Sequence, residues 1–182
     1  MASSYTPLGV ELMVTGENAG TWGTKTNTNL NILEQIIGGY STKSIAGGTQ
    51  TTALTVVDGN TTGTAQFRMI EFTGTITGNQ IVTIPNDIET FYFLRNSTSG
   101  AYTVQFKYAT GSGSTTTFAT TDKGDKLVIA TANDGTNPDI KEISLASPPG
   151  GSNTQVQFNN SGSFGGSANL TWDGSNLSIG AQ

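Results

Sequence analysis

Two carboxylates, Glu71 and Glu89, fall beside stretches that predict β-sheet, and a pair of carboxylates is what glycoside hydrolysis needs. One of the pair must then be held protonated, and nothing in the spacing couples these two. The chain has neither histidine nor cysteine. The commonest general base, the thiol nucleophile and most catalytic zinc sites are therefore missing, and no disulfide framework exists. Asp122, Asp125, Asp134 and Asp139 recur within one region. However, Thr121-Asp122-Lys123-Gly124-Asp125 lacks the ligand spacing of a calcium loop, and turns ordinarily carry Asp. Gly111-Ser112-Gly113-Ser114 lacks the Lys-Ser/Thr ending of a phosphate loop. Asn96-Ser97-Thr98 matches a glycosylation acceptor. Tyr92, Tyr102 and Tyr108 offer a platform for stacking on sugars. Parity sets Tyr102 and Tyr108 with Phe106, however, which predicts a strand face or a core. These residues predict no catalysis, no cofactor and no metal.

The chain that must position them has 182 residues, with 13 acidic against 8 basic side chains and a net charge of -5. Scattered Lys and Arg on an acidic chain argue against a nucleic-acid partner, since phosphate contacts need clustered cations. No run of 18 apolar residues predicts a membrane span. The opening Met1-Ala2-Ser3-Ser4-Tyr5-Thr6-Pro7 has neither the basic nor the apolar region of a secretion signal. Only 12% of residues are charged, against 24 glycines and abundant Thr, Val and Ile. That balance favours pleated sheet over disorder, with hydroxyls and amides supplying the polarity.

Three stretches differ in texture. Residues 1–39 read as an attachment segment. Leu8, Val10, Leu12 and Val14 alternate as a short strand, and Trp22 sits in a glycine-rich turn. A helix is predicted over 28–37, with Thr26, Asn27 or Thr28 as its cap and Gly38 in a left-handed stop. Leu30, Leu33 and Ile37 share one face, with Ile36 beside them. Ten residues need docking to stay helical. That face suits either the chain's own sheet or a seam between copies. Trp22 likewise suits either its own helix or a partner.

Residues 40–147 predict strands near 53–57, 66–72, 80–84, 91–95, 102–108, 126–131 and 140–145. Turn chemistry separates them at Asp58-Gly59-Asn60, Pro85-Asn86, Asn96–Gly100 and Asn133-Asp134-Gly135. In 66–72, Phe67, Met69 and Glu71 fall on one face and Arg68, Ile70 and Phe72 on the other. Short strands at this spacing predict a mainly β fold, an antiparallel β-sandwich or jelly-roll.

Pro148-Pro149-Gly150-Gly151-Ser152 reads as a hinge, and 148–182 as a separate segment rich in Gly, Ser and Asn. Its apolar side chains are Val156, Phe158, Phe164, Leu170, Trp172, Leu177 and Ile179. They bury too little surface to offset the entropy of ordering the segment alone. It is expected to fold as an intertwined β-shaft with those residues at a trimer interface. The need for partners does not itself fix their number.

Two runs resemble phage tail-fibre and related virion proteins. One is Gly16-Glu17-Asn18-Ala19-Gly20-Thr21-Trp22-Gly23 with its continuation to Asn29-Leu30 and Ile36-Ile37-Gly38-Gly39. The other is Gln155-Val156-Gln157-Phe158-Asn159-Asn160 through Phe164-Gly165-Gly166 to Leu170-Thr171-Trp172-Asp173. The resemblance implies a virion location, a homotrimer, and attachment to a tail adaptor, nozzle or baseplate protein through the N-terminal part. Trp22, Leu30, Leu33 and Ile37 are the expected attachment residues. It also implies that host surface glycans are met through distal parts. Such a unit normally leads into more fibre, whereas this sequence stops at Gln182. The other readings are a capsid decoration protein and a carbohydrate-binding module.

Overall fold

The computed structural model describes residues 3–144 and 149–180. The chain forms two compact units, Met1–Ile143 and Ser144–Gln182. It is mainly β, with several sheets and, among the described residues, one helix.

The first unit opens with a small antiparallel pair, β1 (Ser4–Tyr5) and β2 (Glu11–Leu12), followed by α1 (Trp22–Gly38). The helix starts well before the predicted Thr28, and no side chain caps it. Asn18 (φ 61°) and Gly20 (φ 81°) form the preceding turn, in which the Thr21 N–H donates to the Asn18 carbonyl at 2.8 Å. The first turns are then held from outside. The Asn29 amide accepts from the Glu11 N–H and donates to the Glu11 carbonyl, both at 2.9 Å. The Lys25 ammonium lies 3.1 Å from the Glu11 carboxylate. Tertiary bonds thus impose helix on a Thr/Asn-rich run of modest propensity. At the other end Gly39, not Gly38, is the cap, and its backbone is extended (φ −69°, ψ 145°) instead of left-handed. A Cβ there would lie 2.6 Å from the Cα of Gln35, so close approach explains the glycine.

From the helix the chain enters β3 (Tyr40–Ser44), turns a corner into β4 (Gln50–Ala53) and returns to β5 (Met69–Thr73). It repeats the circuit through β6 (Gln80–Ile84), β7 (Thr90–Asn96) and β8 (Val104–Tyr108). β3, β5 and β7 pair side by side in parallel, and so do β4, β6 and β8. The hydrogen bonding continues around the corners through the bridges Gly47–Ile76 and Thr75–Ser99. Strand, corner and strand therefore stack as successive rungs. The corners need glycine: Gly74 and Gly100 have φ of +104° and +102°, and a Cβ on Gly100 would lie 2.2 Å from the Ile76 carbonyl oxygen.

After β8 the direction reverses. β9 (Thr116–Phe118) runs antiparallel to β8, β10 (Asp125–Ala130) to β7, and β11 (Ile140–Ile143) to β10. The final orders are β11-β10-β7-β5-β3 and β4-β6-β8-β9. The antiparallel pairing expected for a sandwich or jelly-roll is corrected by these parallel pairs. A period of two marks a half-buried strand and does not reveal the direction of its neighbour. The segments after Asp58-Gly59-Asn60 and Pro85-Asn86 carry the chain to the opposite sheet, so they close no hairpins. β3 and β9 were not foreseen, and of the strand expected at 53–57 only Ala53 belongs to β4. Leu145 and Pro148 fall outside the described residues.

One core lies between the two sheets. Ile70 and Phe72, Val82 and Ile84, Tyr92 and Leu94, and Val104, Phe106 and Tyr108 point into it in alternation. Phe106 of β8 meets Phe72 of β5 at 6.4 Å and, edge-on, Tyr92 of β7 at 5.7 Å. The buried hydroxyls are satisfied. Tyr92 donates to the Ala65 carbonyl at 2.8 Å. Tyr108 donates to the Ile88 carbonyl at 2.7 Å and accepts from the Ala132 N–H at 2.8 Å. The buried Gln80 amide ties the corners by donating to the carbonyls of Gly47, Gly48 and Gly78.

The second unit is an antiparallel meander of β12 (Gln155–Asn160), β13 (Ser163–Trp172) and β14 (Leu177–Ile179). Ser161 (φ 53°) and Gly162 (φ 90°) make the two-residue turn between β12 and β13, the left-handed pairing that tight hairpins prefer. Asp173 closes the next turn by accepting from the N–H groups of Ser175 and Asn176 at 2.8 and 2.7 Å. Among its described residues none is fully buried.

Candidate assembly surface

At 3.6 residues per turn, Trp22, Leu30, Leu33 and Ile37 fall within a stripe about 80° wide on α1. This stripe is not the face that docks. Trp22 is 65% exposed, Leu30 57%, Leu33 40% and Ile37 74%. The neighbouring stripe docks instead, with Ile32 fully buried and Lys25 and Asn29 bonded to Glu11. Packing of Leu30, Leu33 and Ile37 on their own sheet, one of the two readings open from sequence, is thereby set aside. So is burial of Trp22 against its own helix.

The stripe continues onto the five-stranded sheet. Leu30, Leu33 and Ile37 line a cleft of about 720 Å³ together with Tyr40 and Phe67. Tyr40 is in register with Met69, Met69 with Phe93, Phe93 with Leu127 and Leu127 with Ile143. These side chains form an apolar row across the outer face, and Tyr40, Met69 and Phe93 are each roughly half exposed. Phe91 packs edge-on against Phe93 at 6.1 Å, with the Arg68 guanidinium 3.8 Å above its ring.

Two residues along the strands, the next row is polar: Thr42, Glu71, Arg95 and Asp125. The Glu71 carboxylate accepts from the hydroxyls of Ser97 and Tyr40, which hold it below the usual carboxylate range. Arg95 grips Asp125 with two bonds of 2.7 and 2.9 Å, lowering the Asp125 carboxyl and raising the guanidinium. An apolar strip bordered by paired charges has the anatomy of a protein interface.

The other candidates are engaged locally. A Glu71 held ionised is in the wrong state for a general acid. Asp122 pairs with Lys126 at 3.3 Å, Asp139 accepts from the Ser114 backbone and hydroxyl, and Asp134 accepts from the Thr136 N–H. Among the described residues no group of three or more Asp, Glu, His or Cys could hold a metal. Tyr92 and Tyr108 are buried, so they offer no sugar platform with Tyr102. Ser112 is fastened to Asn137, and Asn96 is buried with its amide on the Asp122 carbonyl.

In the second unit the expected interface residues separate into groups. Leu170 pairs with Ile179 and Trp172 with Leu177, so these four share one face. Phe164 pairs with Asn159 and Phe158 with Gly165, placing the two phenylalanines on opposite faces of their hairpin. The Phe158 ring lies over Gly165, where a Cβ would come within 3.1 Å of it. Val156, two residues before Phe158, is partly exposed.

Sequence reading missed the row at Tyr40, Met69 and Phe93. The signal was there in Phe91-Tyr92-Phe93-Leu94, a continuous apolar run that marks a strand apolar on both faces. Comparisons with models of known families, with curated proteins and with solved structures return no match.

Proposed function

We propose that this chain is a structural part of a bacteriophage particle, the tail-proximal part of a homotrimeric tail fibre, and that it turns over no substrate. One observation carries the reading. A unit with a complete core and satisfied tyrosine hydroxyls still leaves a continuous apolar surface outside, and the second unit has almost no interior. Large exposed apolar patches on folded chains are interaction sites. The resemblance of the two glycine-rich runs to tail-fibre proteins supplies the setting.

In this reading the first unit docks on neighbouring subunits at the tail, and its core spaces and stiffens the connection. The second unit winds with its copies into a β-shaft, pooling Leu170, Trp172, Leu177 and Ile179 around the axis. Receptor-binding parts would be held beyond it. The test is the mass of the purified chain in solution at micromolar concentration. Three copies of 18.9 kDa are expected. A lone copy whose residues 150–180 remain folded would overturn the proposal.

A further inference from the structure

The stripe of α1 has the geometry of a helix–helix seam. Thr26, Leu30, Leu33 and Ile37 follow one another at spacings of four, three and four, the step of knobs packing into holes. No charged residue interrupts the stripe. A lipid surface is a poor occupant, because interfacial helices carry Lys and Arg beside their apolar face. The one basic residue of α1, Lys25, is committed to Glu11.

Area argues for a large, specific partner. Trp22, Leu30, Leu33 and Ile37 of the helix and Tyr40, Met69 and Phe93 of the sheet are on average about half exposed. With about 200 Å² for a large side chain, they present roughly 700 Å². A stable protein interface buries about 800 Å² per partner. Homo-oligomers close by rotational symmetry, which brings a feature near the axis against its own equivalent. A straight, uncharged, narrowly spaced stripe suits that self-facing position.

We propose that the α1 stripe faces the same stripe of a second copy of this chain across the assembly axis, flanked by the Tyr40–Met69–Phe93 row. This deepens the reading of the chain as an assembling subunit and rests on it. It assigns the stripe to a copy in place of a tail protein.

The absence of cysteine makes a clean test, since one introduced thiol can pair only with its own copy. Leu33→Cys and Ile37→Cys are made separately in the full chain, and Asn31→Cys, exposed on the far side of the helix, is the control. All three positions are exposed, so folding is retained, which circular dichroism checks. Mild oxidation at micromolar concentration should convert the Leu33→Cys or Ile37→Cys chain to covalent dimer up to the two of three copies that can pair in a trimer, several-fold more than the control. Light scattering of the unmodified chain is read alongside. A multimeric mass with no excess cross-linking at either position overturns the self-facing stripe and leaves the proposed function standing. A monomeric mass overturns the self-facing stripe, and with residues 150–180 still folded it overturns both.

Discussion

Gly100→Ala isolates the stacking of the rungs. Gly100 turns the corner between β7 and β8 at φ +102°, and Gly16, in the same unit, has φ +84° but open space around it. An alanine in either place bears a left-handed backbone, about 1–2 kcal/mol. At Gly16 nothing more is added. At Gly100 the new Cβ would meet the Ile76 carbonyl oxygen at 2.2 Å, more than 1 Å inside ordinary contact. The corner of one rung must then lift off the next. Two bonds join them there, Ile76 N–H to Ser99 O at 2.9 Å and Ser99 N–H to Gly74 O at 3.1 Å. Losing both costs roughly 1–3 kcal/mol more. Gly100→Ala should therefore destabilise the unit by about 2–5 kcal/mol. Guanidinium denaturation of both variants, followed by far-ultraviolet circular dichroism, reads the difference. If the two losses agree within about 0.5 kcal/mol, the range of inconsequential surface changes, the rungs do not stack as described.

Tyr108→Phe should cost about 1–3 kcal/mol, because it leaves the Ile88 carbonyl and the Ala132 N–H unpaired inside. Equal melting temperatures for variant and parent would contradict the bonding. Glu11 gives a pH dependence. Hydrogen bonds from Ser3 and Asn18, then Lys25, hold its carboxyl below the ordinary range. Its contribution is present above the unfolded carboxylate pKa and is lost as pH falls through the lower folded value. Protection of the Val10–Leu12 amides against exchange, relative to their intrinsic rate at each pH, should fall on acidification, and Glu11→Gln should flatten that response. Arg95→Gln removes an ion pair open to water on both sides, so unfolding should shift by no more than about 1 kcal/mol. A larger loss would mean that the pair is enclosed by something further.

Between residues 66 and 143 clean alternation marked strands, but the alternation of Leu8, Val10, Leu12 and Val14 yields only the two-residue β2, in which Glu11 is buried and Leu12 exposed. The strand expected at 80–84 is β6 to the residue, and the inward parity of Ile70 with Phe72 is observed. Direction was not legible, because β5 and β7 carry the same alternation whether their neighbour runs parallel or antiparallel. β3 escaped notice because Tyr40-Ser41-Thr42-Lys43-Ser44 offers no apolar alternation; its place is fixed by pairing with β5. The helix start was misplaced because its support comes from Glu11, eighteen residues before Asn29. For the surface, Leu30, Leu33 and Ile37 were visible as one face, but only folding shows that Ile32 is the residue that docks.

The reversal after β8 has a further consequence. A stack of like-directed rungs has no inherent last member, and its outermost strand is a template on which another could grow. Here β9, three residues long and reversed against β8, and β11, four residues long and laid on the reversed β10, form one border of each sheet. Short strands blunt such a border. They make the pile finite on that side, so a particle built from many such chains would gain length through deliberate joints and not through runaway accretion.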